Sequence, residues 1–155
     1  MPECEEVIEQ IKQEIKELGM KWEDLRTYRP RPYSRLMALS NGYEYLTLKD
    51  YCEGKGEIDV QNYVKKWVKS CEGNVIVYRG GVQDEIDPGD WVALDRKVAE
   101  WYVEDNEKAK LLIKSVPIED VRWAGSDISE WYYLPARLKG CINDEVIESI
   151  KKEIG

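Results

Sequence analysis

Arg79 leaves the apolar run Val75-Ile76-Val77-Tyr78 and is followed at once by Gly80, while Glu130 stands directly before the aromatic run Trp131-Tyr132-Tyr133. A guanidinium at a strand end offers a planar, permanently charged fork for phosphate or carboxylate oxygens. A carboxylate at the head of another strand is a hydrogen-bond acceptor and a possible base. The sequence contains no histidine, which removes Ser-His-Asp and Cys-His catalysis. Acid–base work then falls to Asp, Glu, Lys, Tyr or Cys. Cys4, Cys52, Cys71 and Cys141 are far apart and form no CxxC pair. A Cys/His zinc site is excluded, and the spacing argues against a four-cysteine site. Two disulfides are conceivable, but reduced thiols in a cytosolic protein are the simpler expectation.

Several elements must position these two residues. Val75 to Tyr78 reads as a buried strand. Asp87-Pro88-Gly89-Asp90 is a turn signal, with a second strand from Trp91 to Leu94. Asp95 can cap a short helix through Tyr102. Lys110 to Val116 reads as a third strand, and Val121 to Ala124 and Glu130 to Leu134 as two more. Asn143 can cap a closing helix carrying Val146, Ile147, Ile150 and Ile154 at helical spacing. Before the strands, Cys4, Val7, Ile8, Ile11, Ile15 and Leu18 mark a helix that Gly19 stops. Arg29-Pro30-Arg31-Pro32 reads as an extended connector. Leu36 to Leu39 and Tyr43 to Tyr51 are apolar and of ambiguous type. Val60, Tyr63, Val64, Trp67 and Val68 form one face of an amphipathic helix, with Lys65, Lys66 and Lys69 as a solvated face. The expected organisation is a single α+β domain over 1–155: a mostly helical subregion at 1–70, then a strand-rich core with a C-terminal helix at 71–155. The tryptophans are expected to fill the core.

The balance of 31 acidic against 23 basic residues gives a net charge of −8. Nine Asp/Glu between Asp84 and Glu107 face only Arg96 and Lys97. Phosphate-backbone binding needs a basic surface, so general binding to nucleic acid is not expected. No stretch reaches the roughly 18 apolar residues of a membrane span, and the acidic start is unlike a secretory signal. A cytoplasmic protein is the expectation. Abundant Glu, Lys and Ile without His or Phe is a composition met in thermophiles.

The stretch from Val77 to Pro135, somewhat over a third of the chain, resembles the ADP-ribosyltransferase superfamily, especially small phage and prokaryotic members. The ordered blocks are Tyr78-Arg79-Gly80, Pro88-Gly89-Asp90-Trp91-Val92, Ala99-Glu100-Trp101-Tyr102, Val116-Pro117-Ile118-Glu119-Asp120-Val121 and Trp123-Ala124-Gly125-Ser126-Asp127-Ile128-Ser129-Glu130-Trp131-Tyr132-Tyr133-Leu134-Pro135. The resemblance implies a split-sheet fold with NAD held between two facing sheets. Without histidine, only the Arg-Ser-Glu class fits. It implies Arg79 as the NAD anchor and Glu130 as the catalytic carboxylate. Glu130 would bond the nicotinamide ribose and stabilise positive charge as the glycosidic bond breaks. Tyr78, Gly80, Trp91, Tyr102 and Tyr133 complete the implied NAD-binding set, the aromatic rings by stacking. The implied activity is mono-ADP-ribosyl transfer to a macromolecule, a protein side chain by preference, in a phage–host or toxin-like setting.

Two departures bear on that activity. The class carries a Ser-x-Ser element on its second strand, where this chain has Trp91-Val92-Ala93-Leu94-Asp95. Ala93 has no hydroxyl, and Asp95 would repel a nearby Glu130. Either Ser126, Ser129 or a tyrosine supports Glu130, or activity is low or absent. Members that modify arginine have an acidic residue two positions before the glutamate. Here it is Ile128, so arginine is not expected as the target. Two alternatives stay open: an inactive protein-binding module on the same fold, and an NAD glycohydrolase that passes ADP-ribose to water.

Overall fold

A computed structural model describes residues 3–155. The fold is α+β. Helices α1 (Cys4–Leu18), α2 (Trp22–Tyr28), α3 (Arg31–Asn41), α4 (Leu48–Cys52) and α5 (Ile58–Trp67) precede β1 (Asn74–Gly81). Then follow β2 (Trp91–Val92), α6 (Arg96–Asp105), β3 (Lys110–Pro117), β4 (Val121–Trp123), β5 (Trp131–Tyr133) and α7 (Asp144–Ile154). β1 pairs antiparallel with β3, and β5 lies between β2 and β4, also antiparallel. One bridge, Tyr78 to Ala93, joins the two sheets.

Local chemistry explains most boundaries. Gly19 ends α1 in a left-handed conformation, φ 63°, that costs glycine little. The Asp95 carboxylate accepts the Lys97 N–H and starts α6, and Asn143 does the same for the Val146 N–H at α7. The Arg29-Pro30-Arg31-Pro32 segment is not an extended connector. α3 begins at Arg31, with Pro30 just ahead of it and Pro32 in its first turn. A proline there gives up no intrahelical hydrogen bond. Arg29 takes a left-handed φ of 50°, the one described non-glycine residue to do so.

Two apolar clusters form. One holds Leu48, Tyr51, Val60 and Val64 of α4 and α5 against Val77, Val92, Val116, Val121, Trp131 and Tyr133 of the sheets. The other holds Val7, Ile11 and Ile15 of α1 against Leu25, Leu36 and Leu39 and against Leu134, Leu138, Ile142 and Ile150. Thus α4 and α5 pack with the strands, and the C-terminal segment returns to α1–α3.

The expectation of four reduced thiols is corrected. Cys4 and Cys141 are joined in a disulfide, Cα to Cα 5.3 Å, 137 residues apart in the chain. The two come together because α1 and the segment before α7 share the second cluster. Cys52 and Cys71 are free. Burial, with the Cys71 thiol alongside, pushes the Cys52 thiol up to about 12. Lys65 and Lys66 are exposed on the solvated face of α5, and Lys69 is exposed just beyond its end. No helix among the described residues is long and apolar enough to cross a membrane.

Candidate functional site

A cavity of about 570 Å³ opens where the two sheets meet. Tyr78, Arg79 and Gly80 of β1 form its floor, with Trp91, Val92 and Ala93 beside them and Glu130 at the head of β5. Ala99, Trp101 and Tyr102 of α6 form one side, and Arg29, Arg31 and Arg35 the other. Arg79 and Glu130, 51 positions apart in sequence, therefore line one cavity. Tyr78, Gly80, Trp91 and Tyr102 join them.

Two glycines permit this assembly. A Cβ on Gly80 would meet the Ala99 carbonyl oxygen at 2.5 Å, so α6 lies against β1 because residue 80 has none. Gly89 adopts φ 92°, and a Cβ there would lie 2.8 Å from the Arg35 carbonyl oxygen. That contact brings the Asp87–Asp90 turn onto α3.

The turn and α3 are locked by charge. Asp90 has a side chain only 1% exposed. It accepts Arg31 Nε at 2.9 Å and Arg31 Nη2 at 2.8 Å, a bidentate fork, together with its own turn's Asp87 N–H at 2.8 Å. Arg31 also donates to Asp87 at 2.7 Å and to Glu14 at 3.4 Å. Burial opposes its charge, but these carboxylates outweigh burial and hold its pKa above the ordinary value. Arg35, fully buried, donates to the Pro88 carbonyl at 2.9 Å, to both Glu14 oxygens at 3.2 Å and to Gln10 at 3.0 Å. i, i+4 spacing places Arg31 and Arg35 on one face of α3.

Arg79 is less well served. Its Nη1 donates to the Trp91 carbonyl at 3.0 Å, but its Nε is buried without a hydrogen-bond partner, 3.8 Å from Asp90. Burial lowers its pKa, the neighbouring Arg31 and Arg35 charges push the same way, and Asp90 opposes them. Arg31 and Arg35 are matched by Glu14, Asp87 and Asp90, so the half-buried Arg79 guanidinium, with its Nε unbonded, is the group of this cluster with donor capacity left for an anion.

The glutamate side is bare. β2 and β5 pair as Trp91 to Tyr132 and Val92 to Trp131, so the next step of that register sets Ala93 opposite Glu130. Ala93 carries no donor. Ser129 cannot substitute, because its Oγ donates to Asp127 at 2.7 Å. The Glu130 pKa is raised by burial and by the Asp127 charge, with no hydrogen bond acting against them. The expected repulsion from Asp95 is corrected: Asp95 does not line the cavity, its carboxylate caps α6, and the charge that acts on Glu130 is that of Asp127.

Three further expectations change. Tyr133 does not line the cavity. Alternation along β5 turns Trp131 and Tyr133 into the core, Tyr133 beneath the Lys114 ammonium at 5.1 Å. Tyr132 shares the Glu130 side and sits edge-on to Trp91, centroids 5.9 Å apart. Second, not all tryptophans are core: Trp101 is 61% and Trp91 38% exposed at the cavity, whereas Trp131 is fully buried. Third, the site extends to Arg29, Arg31, Arg35 and Asp90, to which the resemblance assigns no role. The available signal was three arginines between 29 and 35 in a chain of net charge −8.

Among the described residues no cluster of His, Cys, Asp and Glu could hold a metal ion. No known protein-family model, curated protein or solved structure matches this chain.

Proposed function

We propose that the protein is an NAD-dependent mono-ADP-ribosyltransferase. The observation that carries this reading is the single cavity lined by both Arg79 and Glu130. NAD is an extended diphosphate with an aromatic base at each end. The cavity offers what such a molecule needs: an under-bonded guanidinium at Arg79, a supporting arginine wall, and the exposed rings of Trp91, Trp101 and Tyr102. NAD supplies the activated glycosidic bond to nicotinamide. Arg79 holds the diphosphate, and the Glu130 carboxylate bonds the ribose and stabilises positive charge there. ADP-ribose passes to a protein side chain. The resemblance of Val77 to Pro135 to the superfamily supports the same assignment, with a split-sheet core and a phage–host or toxin-like role.

A second reading is supported by one observation. No donor supports the Glu130 carboxylate, with Ala93 opposite it, as in a binding module that has lost its chemistry. An NAD glycohydrolase would use the same residues with water as acceptor. For the compartment, the free thiols of Cys52 and Cys71 agree with a cytoplasmic setting, whereas the Cys4–Cys141 disulfide is typical of oxidising compartments or of thermophile cytosol.

The experiment is incubation with adenylate-labelled NAD and cell lysate, following label transfer and nicotinamide release. Arg79→Lys should weaken NAD binding about tenfold, because it keeps the charge and loses the fork. Glu130→Gln should bind NAD and lose at least about 100-fold in turnover. Calorimetric NAD binding without turnover supports the inactive module. Nicotinamide release without labelled protein supports the glycohydrolase. No NAD binding at all, with no turnover, removes the transferase and the glycohydrolase and leaves the protein-binding module.

A further inference from the structure

We propose that a second cleft, on the far side of Tyr78 from the candidate site, docks an extended acidic peptide as an added strand on β1. The inference stands apart from the NAD reading. Tyr78 donates its N–H to the Ala93 carbonyl at 2.9 Å and accepts the Ala93 N–H at 2.8 Å, so its backbone faces β2, away from β3. Backbone direction alternates every residue along a strand. Ile76, two positions earlier, therefore points its N–H and C=O the same way. There β2 has ended: the chain leaves the sheet after Ala93 and Asp95 starts α6. The edge of β1 at Ile76 thus meets an open cleft of about 640 Å³ rather than a strand. An open edge of this kind is a template for an incoming strand about 4.8 Å away.

The cleft walls define the peptide. Trp67, Val68, Val75 and Leu94 supply apolar surface, and Ile76 itself is 44% exposed. An extended peptide presents alternate side chains to such a surface. The rim is basic. Lys69, Arg96 and Lys97 line it and are exposed, in a protein whose net charge is −8. Arg96 is matched by Glu100 at 2.7 Å and the Asp95 carboxylate caps α6, which leaves Lys69 and Lys97 as the cations of the rim in no ion pair among the described residues. These two ammonium groups select acidic residues at the outward positions. Tyr78 also lines the candidate site. A peptide paired at Ile76 would be held next to that cavity.

The test uses the full-length protein and a capped hexapeptide alternating Glu and Val, with a Lys/Val hexapeptide as control. Amide hydrogen exchange and anisotropy titration are read together. Binding of the acidic peptide, with at least tenfold slower exchange at the Ile76 amide and weakening by salt, is expected. Lys69→Glu with Lys97→Glu should lower its affinity at least tenfold. Ile76→Pro should do the same with little change in melting temperature, because the Ile76 N–H is not part of the β1–β3 ladder and proline is tolerated on such an edge. Should Ile76→Pro unfold, the charge variant alone decides. Equal binding of the two peptides, binding without Ile76 protection, or no binding would overturn the proposal. So would a concentration-dependent dimer with Ile76 protected in the absence of peptide, which would make a second copy the occupant.

Discussion

The two walls of the candidate site are built in opposite ways. On the helical side, Arg31 spends its donors on the carboxylates of Asp87, Asp90 and Glu14, Arg35 spends its own on Glu14, the Pro88 carbonyl and the Gln10 amide oxygen, and Asp90 at 1% exposure ties α3 to the 87–90 turn. On the strand side, Glu130 has an alanine across from it and a serine neighbour bonded elsewhere. The first wall is preorganised, so it keeps the cavity's shape when a ligand enters, and the donor left unbonded beside it belongs to Arg79. The second is exposed to whatever enters the cavity, and its reactivity is set by the absence of partners. The difference separates the holding of a ligand from acting on it, and the walls should respond differently to mutation.

The largest expected effect comes from the disulfide. It ties the start of α1, which carries Gln10 and Glu14, to the segment before α7. For a link spanning 137 residues, Cys4→Ser with Cys141→Ser should lower stability by about 4–5 kcal/mol in the chain-entropy account. Urea unfolding measures it. Hydrogen exchange should quicken in α1 and α3 before it does in β5. Uniform quickening would mean that the two walls do not differ in what supports them.

Asp90→Asn comes next. It leaves Arg31 half-buried without its bidentate partner, a loss of about 3 kcal/mol. Glu130→Gln, on the other wall, should change stability by no more than about 0.5 kcal/mol. Thermal melts of the two variants test the contrast directly, and comparable losses would remove it. A smaller effect is expected from Ala93→Ser, which places a hydroxyl across from Glu130. If Glu130 is catalytic, NAD turnover should rise about three- to tenfold at unchanged NAD affinity. A fall in turnover would mean that the carboxylate works best without a donor.

How much of this was legible follows from the range of each interaction. α1, α5 and α7 show in their apolar periodicity, and Gly19, Asp95 and Asn143 mark ends by local hydrogen bonding. β1 and β3 show as apolar runs. Arg79 and Glu130 were visible because each adjoins such a run. The arginine wall was not, because its bonds are non-local: Arg31 meets Asp90 across 59 residues and Arg35 meets Glu14 across 21. The Arg-Pro-Arg-Pro string also mimics a connector, since proline marks helix starts as readily as breaks. Tyr133 failed on parity. One step along β5 separates a cavity side from a core side, and the sequence does not state which is which. The cysteine pairing depended on the meeting of the chain's two ends, which spacing alone does not encode.

The smallest effect concerns protons. Burial, then the Asp127 charge, raise the Glu130 pKa, so its carboxyl should titrate by NMR above the usual glutamate value of about 4.3. The folded chain then binds this proton more tightly than the unfolded chain. Between the usual value and the raised one, stability must fall as pH rises, and Glu130→Gln should flatten that slope. Asp127→Asn should bring the pKa part of the way back, since it removes the charge and leaves burial in place. Arg79 cannot produce this signal, because its guanidinium stays protonated throughout that range. A titration at or below the ordinary value would mean that a donor reaches Glu130 in solution, and the two walls would then be alike.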